Sequence, residues 1–271
     1  MCIRDSFYWE AVRPLLDSRF AGLPHSAALI GYGSDVLGFD SSRSTDHEWG
    51  PRVLIFLSDH DHQQLAELIW EMLARELPAS FLGYSTDFGD PDGEGIRRLT
   101  LAEHGPIRHH VELQTVRTFW LRELGIEPHA QIKAIDWLCF PEQKLLAVTA
   151  GAVYHDGLGQ LHSVRERFAA YPRDVWLYVL SAQWGRISQE EAFVARCDEA
   201  GDDIGSRIIA ARLVRDLMKL CFHMERRYAP YNKWIGVAFA TLACAPTMSP
   251  VLERVLSAPA LRDREAALCD A

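Results

Sequence analysis

Asp46 and Glu48, two carboxylates separated by one residue, follow a glycine-serine pair, Gly33-Ser34, after a gap of eleven residues. Residues two apart on an extended segment point to the same side. Carboxylates held that close repel each other unless a cation lies between them. Ligands made only of oxygen suit a hard ion, magnesium above all, which keeps several waters and leans on substrate phosphates. Gly33 puts no side chain between the backbone and an incoming group. A turn of free N–H groups facing an acidic metal pair is a seat for a nucleoside triphosphate. Arg43, in the loop between the two halves, either reaches a phosphate or neutralises Asp40. Ser34 has no histidine placed to activate it as a nucleophile, so its task is hydrogen bonding.

The elements that must position these groups are short and alternate in type. The apolar run Ala27–Ile30 reads as a buried strand ahead of the turn, and Val53–Leu57 is the strongest strand signal in the chain. Asp59–Leu77 carries Leu65, Leu68, Ile69, Met72 and Leu73 at helical spacing and ends at Pro78. Phe7–Phe20 predicts a shorter amphipathic helix covering the sheet. Met1–Ser6 shows no pattern that joins it to the rest and is read as a non-native start. Ser85–Gly95 predicts an exposed loop, and Arg97–Leu101 a strand. His109–Val116 predicts another strand, with Val111 and Leu113 on one face and His110, Glu112 and Gln114 on the other. Glu112 is thus a candidate third acid; its plainer alternative is an ordinary exposed glutamate on a half-buried strand. Short helices follow at Phe119–Leu124 and Glu142–Thr149, and Ala152–Gly157 closes the series as a strand ending in an Asp-Gly turn. This alternation of strand and helix predicts an α/β domain.

A glycine-serine pair after a strand, followed by Asp-x-Glu opening another, resembles the nucleotidyltransferase superfamily, the polymerase-beta-like fold. The resemblance implies that Gly33 and Ser34 hold the triphosphate, and that Asp46, Glu48 and Glu112 are the catalytic, metal-binding acids. Two departures are visible: His47 stands where an apolar residue is usual, and Glu112 where aspartate is more frequent. The wording of Ala27–Trp49 and of Asp174–Trp234 is also similar to a bacterial family known only as domain of unknown function 4037. That second likeness implies no substrate.

From about residue 161 onward the chain reads as helical, so the expected division is an α/β domain over 1–160 and an all-α bundle over 161–271. Asp174–Ala200, Ile204–Arg226, Trp234–Leu242 and Pro250–Leu256 are its expected helices. Between them, Glu225–Trp234 gathers two arginines, a lysine, two tyrosines and a tryptophan. The resemblance implies Lys233 as a triphosphate contact, with tyrosines stacking on a base. An ordinary helix end with packed aromatics accounts for the same residues, and for Arg226 and Arg227 it is the stronger account. His60-x-His62 and His109-His110 lack a third zinc ligand at suitable spacing.

The chain has 271 residues and a formal net charge of −9, which argues against a nonspecific binder of nucleic acid or of an anionic membrane. Cys2, Cys139, Cys197, Cys221, Cys244 and Cys269 are scattered without a Cys-x-x-Cys pair, as in a reducing cytosol. No apolar run reaches the roughly 20 residues of a membrane span, and a cytoplasmic protein is expected. Together these features predict a magnesium-dependent enzyme moving AMP from ATP or another NTP to a hydroxyl. The acceptor would be an aminoglycoside-like small molecule or a protein side chain. The alternatives are a module of the same fold that binds nucleotide or a toxin without transfer, and a phosphohydrolase.

Overall fold

The computed structural model describes residues 3–41, 44, 49–93, 95–100 and 105–271. The chain forms two compact units: residues 1–131 with 144–169, and residues 132–143 with 170–271. Helix Leu161–Phe168 therefore groups with the first unit, and the segment 132–143 with the second.

The first unit opens on three continuous helical pieces, α1 Ile3–Ser6, a π-helical stretch Phe7–Val12, and α2 Arg13–Arg19. Then come β1 Ser26–Leu29, α3 Ser34–Leu37, β2 Arg52–Phe56, α4 Asp59–Glu76, a small hairpin of β3 Ser80–Phe81 and β4 Tyr84–Ser85, β5 His110–Gln114 and α5 Val116–Leu124. After α6 Ala134–Cys139, in the second unit, come α7 Glu142–Thr149, β6 Ala152–Asp156 and α8 Leu161–Phe168. The main sheet has the order β5-β2-β1-β6; β1 is antiparallel to both neighbours and β2 is parallel to β5. It is a mixed sheet, as the alternation of elements predicts.

Strand periodicity divides the sheet into two faces. Ala27, Val53, Ile55 and Val111 pack with Phe7, Tyr8, Val12 and Leu16 of the N-terminal helical run and with Ile69 and Leu73 of α4. Tyr8, Val12 and Leu16, and likewise Ile69 and Leu73, recur every four positions, so one stripe of each helix meets the sheet. The opposite face carries Arg52, Leu54 and Phe56 beside His110, Glu112 and Gln114. There Phe56 meets Phe119 of α5 edge to face, with ring centroids 5.7 Å apart.

The second unit is helical: α6, then α9 Arg173–Glu190, α10 Phe193–Glu199, α11 Asp203–Met224, α12 Ile235–Phe239, α13 Ala245–Ser257 and α14 Leu261–Cys269. Asp202 caps α11, its carboxylate accepting from the Gly205 N–H at 2.8 Å.

Four local expectations need correction. The helix expected over Asp174–Ala200 is broken at Glu191-Ala192, where no glycine or proline signals the break. No strand forms over Arg97–Thr100; Thr100 makes only an isolated bridge to Asp87. The loop from Ser85 is not wholly exposed, because Thr86, Asp87 and Phe88 are buried. Asp87 accepts from Thr100 at 2.6 Å and from Arg108, and those donors hold its carboxyl down at about 2. Pro250 lies inside α13 rather than opening it.

Candidate active site

Gly33 ends the link from β1 with φ 123° and ψ 144°, a conformation that favours glycine. A Cβ there would run into the Asp35 carboxylate and the Arg52 guanidinium. The space beside this glycine is therefore taken by the protein's own ion pair. Arg52 Nε donates to Asp35 Oδ2 at 3.0 Å, and its terminal nitrogen donates to Asp35 Oδ1 at 2.7 Å and to the Tyr32 carbonyl at 2.9 Å. Both side chains are almost fully buried, at 4% and 3% exposure. Burial alone would lower the Arg52 pKa, but Asp35 more than compensates and raises it. Arg52 also lies over the Tyr32 ring, 5.2 Å from its centroid. Because Arg52 is the first residue of β2, this pair fastens the start of β2 to the turn that follows β1.

Ser34 opens α3, and its hydroxyl donates to Asp40 Oδ1 at 2.8 Å. Asp40 Oδ2 accepts from the Trp49 indole at 3.0 Å, so the two described flanks of the loop meet at one carboxylate. Arg43, Asp46 and Glu48, the expected phosphate and metal residues within that loop, lie outside the described residues.

Glu112 stands on β5 opposite Leu54 of β2, on the face that also carries His110 and Arg52. Its Oε1 is 3.4 Å from the Tyr32 hydroxyl and 3.3 Å from His110 Nε2; its Oε2 is 3.5 Å from Arg122 of α5. Burial pushes the Glu112 pKa up, but His110, Arg122 and Arg52 outweigh it and hold the carboxyl below its ordinary value. Glu112 is thus ionised and offers oxygens of the kind a hard cation takes. Among the described residues no group of three His, Cys, Asp or Glu is placed to hold a metal. The fit to magnesium therefore extends only to Glu112.

Sequence reasoning passed over Tyr32, Asp35, Arg52 and Arg122, and placed His110 on the Glu112 face without giving it a role. Asp35 directly after the glycine-serine pair and Arg52 at a strand start were visible signals, but their pairing depends on β1 lying beside β2.

Lys233 belongs to the helical unit, where its Nζ lies 4.8 Å from the Trp234 ring centroid. Arg226 donates to the Tyr171 carbonyl and Arg227 to Thr241, the structural roles expected of them. Tyr228 is buried against Tyr171, ring centroids 5.1 Å apart, and is packing rather than a base platform; Tyr231 is exposed. The paired histidines also have structural partners. His62 Nε2 donates to the Leu113 carbonyl at 3.1 Å. His109 Nδ1 accepts from the Val111 N–H at 3.2 Å while its Nε2 donates to the Trp70 carbonyl at 3.0 Å. Burial pushes the His109 pKa down to about 4, consistent with a neutral ring between one donor and one acceptor.

Fold and turn together define a mixed α/β unit with a polar site between its first, second and third long strands, accompanied by a helical unit. A family model described as a domain of unknown function, DUF4037, matches residues 137–235. This is the family that the wording of Asp174–Trp234 resembles. Among solved structures, the chain is similar to a nucleotidyltransferase-like protein from Exiguobacterium sibiricum. The two are 13% identical, the match covers 96% of this chain and 72% of that one, and the TM-score is 0.38. No curated protein matches the chain. No helix among the described residues is long and apolar enough to cross a membrane.

Proposed function

We propose that this protein is a magnesium-dependent nucleotidyltransferase that moves a nucleoside monophosphate, most simply AMP, from an NTP to an acceptor hydroxyl. One observation carries the proposal: the Tyr32 hydroxyl lies 3.4 Å from Glu112 Oε1, so an acid from the third strand of the sequence motif stands at the turn after the first. The resemblance of the surrounding motif supplies the rest. Gly33 and Ser34 cup the β- and γ-phosphates, with Arg43 and Lys233 as further phosphate contacts. Asp46, Glu48 and Glu112 hold magnesium, which when bound neutralises phosphate charge and acidifies the acceptor hydroxyl. Positioning and charge neutralisation then carry the rate, and Glu112 takes the acceptor proton.

A second reading, nucleotide bound without transfer, draws on the three groups already gathered around the Glu112 carboxylate. One experiment separates the two. The protein is incubated with α-labelled ATP and magnesium, with and without cell extract, and pyrophosphate and labelled products are followed. Transfer predicts pyrophosphate with a labelled acceptor; binding alone predicts neither, and free phosphate marks a hydrolase. Asp46→Ala or Glu48→Ala abolishes transfer with the fold intact, and Glu112→Ala lowers kcat more than nucleotide affinity. Turnover by Asp46→Ala at the parental rate would remove the assignment.

A further inference from the structure

Beside Glu112, along the outer edge of β5, runs an open cleft of about 670 Å³. One wall is the α4 face carrying His62, Ala66 and Trp70, and the other is the α5 face carrying Thr118 and Arg122. We infer that this cleft receives the acceptor, and that the acceptor is a small hydroxylated anion bearing a carboxylate or phosphate. The inference rests on the transferase assignment of Glu112 and adds the substrate class.

Charge is the first ground. The described lining holds one carboxylate, Glu112, against two guanidinium groups, Arg97 and Arg122, in a chain whose formal net charge is −9. Arg97 forms no ion pair among the described residues. Arg122 divides itself between Glu112 Oε2 at 3.5 Å and Glu123 Oε1 at 3.1 Å. Guanidinium is the side chain whose fork of N–H donors matches carboxylate and phosphate oxygens. An aminoglycoside-like polycation would bring ammonium groups against both arginines, a like-charge contact that selects against it.

The form of the lining is the second ground. His110 and Gln114 flank Glu112 on the same strand face and also line the cleft. Each residue is buried, at 7% exposure, and among the described residues His110 Nδ1 and the Gln114 amide nitrogen have no hydrogen-bond partner. Buried polar groups without partners are rare in folded proteins. Both atoms are sealed from solvent, so they lie behind the cleft wall and only their side chains' outer atoms face a ligand. Trp70, half exposed and 5.0 Å from the His109 ring, adds a flat apolar wall for the ligand's carbon frame. The cleft volume lies in the range of small-molecule sites.

In the reaction so placed, the acceptor oxygen attacks the α-phosphorus of ATP. A new P–O bond forms as the bond to the β-phosphate oxygen breaks, pyrophosphate departs, and the hydroxyl proton passes to the Glu112 carboxylate.

The full chain is titrated calorimetrically with glycerol 3-phosphate, with gluconate, and with kanamycin as a hydroxylated polycation. The same three are then offered as acceptors with α-labelled ATP and magnesium. At least one of the two anions binds, and comparing them tells phosphate from carboxylate preference; kanamycin does not bind. Arg97→Ala and Arg122→Ala each weaken anion binding about tenfold, the loss of one charge-assisted contact. Arg97→Glu weakens it further. Both arginines reach solvent, and unfolding curves of the variants verify that the fold is kept. Failure of both anions to bind, tighter binding of kanamycin, or unchanged affinity in the Arg97→Ala/Arg122→Ala double variant overturns the inference. Arginine-dependent anion binding without label transfer would instead refute the transferase assignment and leave the anion site standing. Label moved to kanamycin would do the reverse.

Discussion

In the sheet unit Asp35 and Arg52 are both removed from solvent, whereas in the helical unit the buried Asp216 pairs with Arg186, whose side chain is 45% exposed. The first pair holds a turn: it requires glycine at position 33 and fixes the Tyr32 carbonyl. The second joins helices, Asp216 on α11 to Arg186 on α9, while Gln183 donates to the Asp216 carbonyl at 2.8 Å. Within the same unit His223 Nε2 lies 2.5 Å from Glu142 Oε1. The fully buried pair of the sheet unit thus stands at the candidate site, whereas Asp216–Arg186 stands between elements, as does Asp87 with its half-exposed Arg108 in the sheet unit. An ion pair with both members buried is also the more costly to break, because either survivor is stranded away from water.

That contrast can be broken most directly at Arg52. Arg52→Ala strands the Asp35 carboxylate and costs about 3–5 kcal/mol in urea unfolding. Replacing both partners together, Asp35→Leu with Arg52→Met, recovers much of that stability. Next in size is a pH effect on the sheet unit. The folded-state pKa of His109 lies at about 4, below its ordinary 6.5. The unfolded chain therefore binds the proton first as pH falls. Stability from this residue is complete above pH 6.5 and falls through that window, by roughly 3 kcal/mol at pH 4. Unfolding of His109→Gln across the same window shows a flatter pH dependence than the parent.

Asp216→Ala should cost only about 1.5 kcal/mol, since Arg186 turns to solvent. Among the described residues Asp216 Oδ1 has no hydrogen-bond partner, only the Arg215 guanidinium 3.5 Å away, so its removal offsets part of the loss. A loss equal to that of Arg52→Ala would erase the distinction between the units. Ser34→Ala is the smallest, about 0.5–1 kcal/mol for one exposed bond to Asp40. Its effect on nucleotide binding is the more telling measurement.

Much of this arrangement can be read from the sequence, and the parts that cannot have physical reasons. Val53–Leu57 and Asp59–Leu77 are near their observed bounds, because a β-branched apolar run and a helical stripe are local signals. Glu112 falls on the expected face, since alternation alone decides it. The Asp35–Arg52 pair spans 17 residues and depends on which strands become neighbours. Arg264 shows the same limit: in sequence it is one more charge on a polar stretch, yet in α14 it is 1% exposed and bonded to Asp203 and Ser206. The π-helical stretch Phe7–Val12 shifts the helix register in a way a regular period cannot show. The family likeness was legible in Asp174–Trp234, while the proposed chemistry turns on Asp46 and Glu48, outside the described residues.

The rim of β5 has one more consequence. An edge strand offers its spare ladder groups to any passing chain. Here Val111 N–H is occupied by His109, and the Leu113 carbonyl by His62. Two molecules meeting rim to rim find these rungs taken and cannot zip together through them. Protonation of His109 removes its lone pair from Val111, so acid strips one of these guards and makes the rim more adhesive.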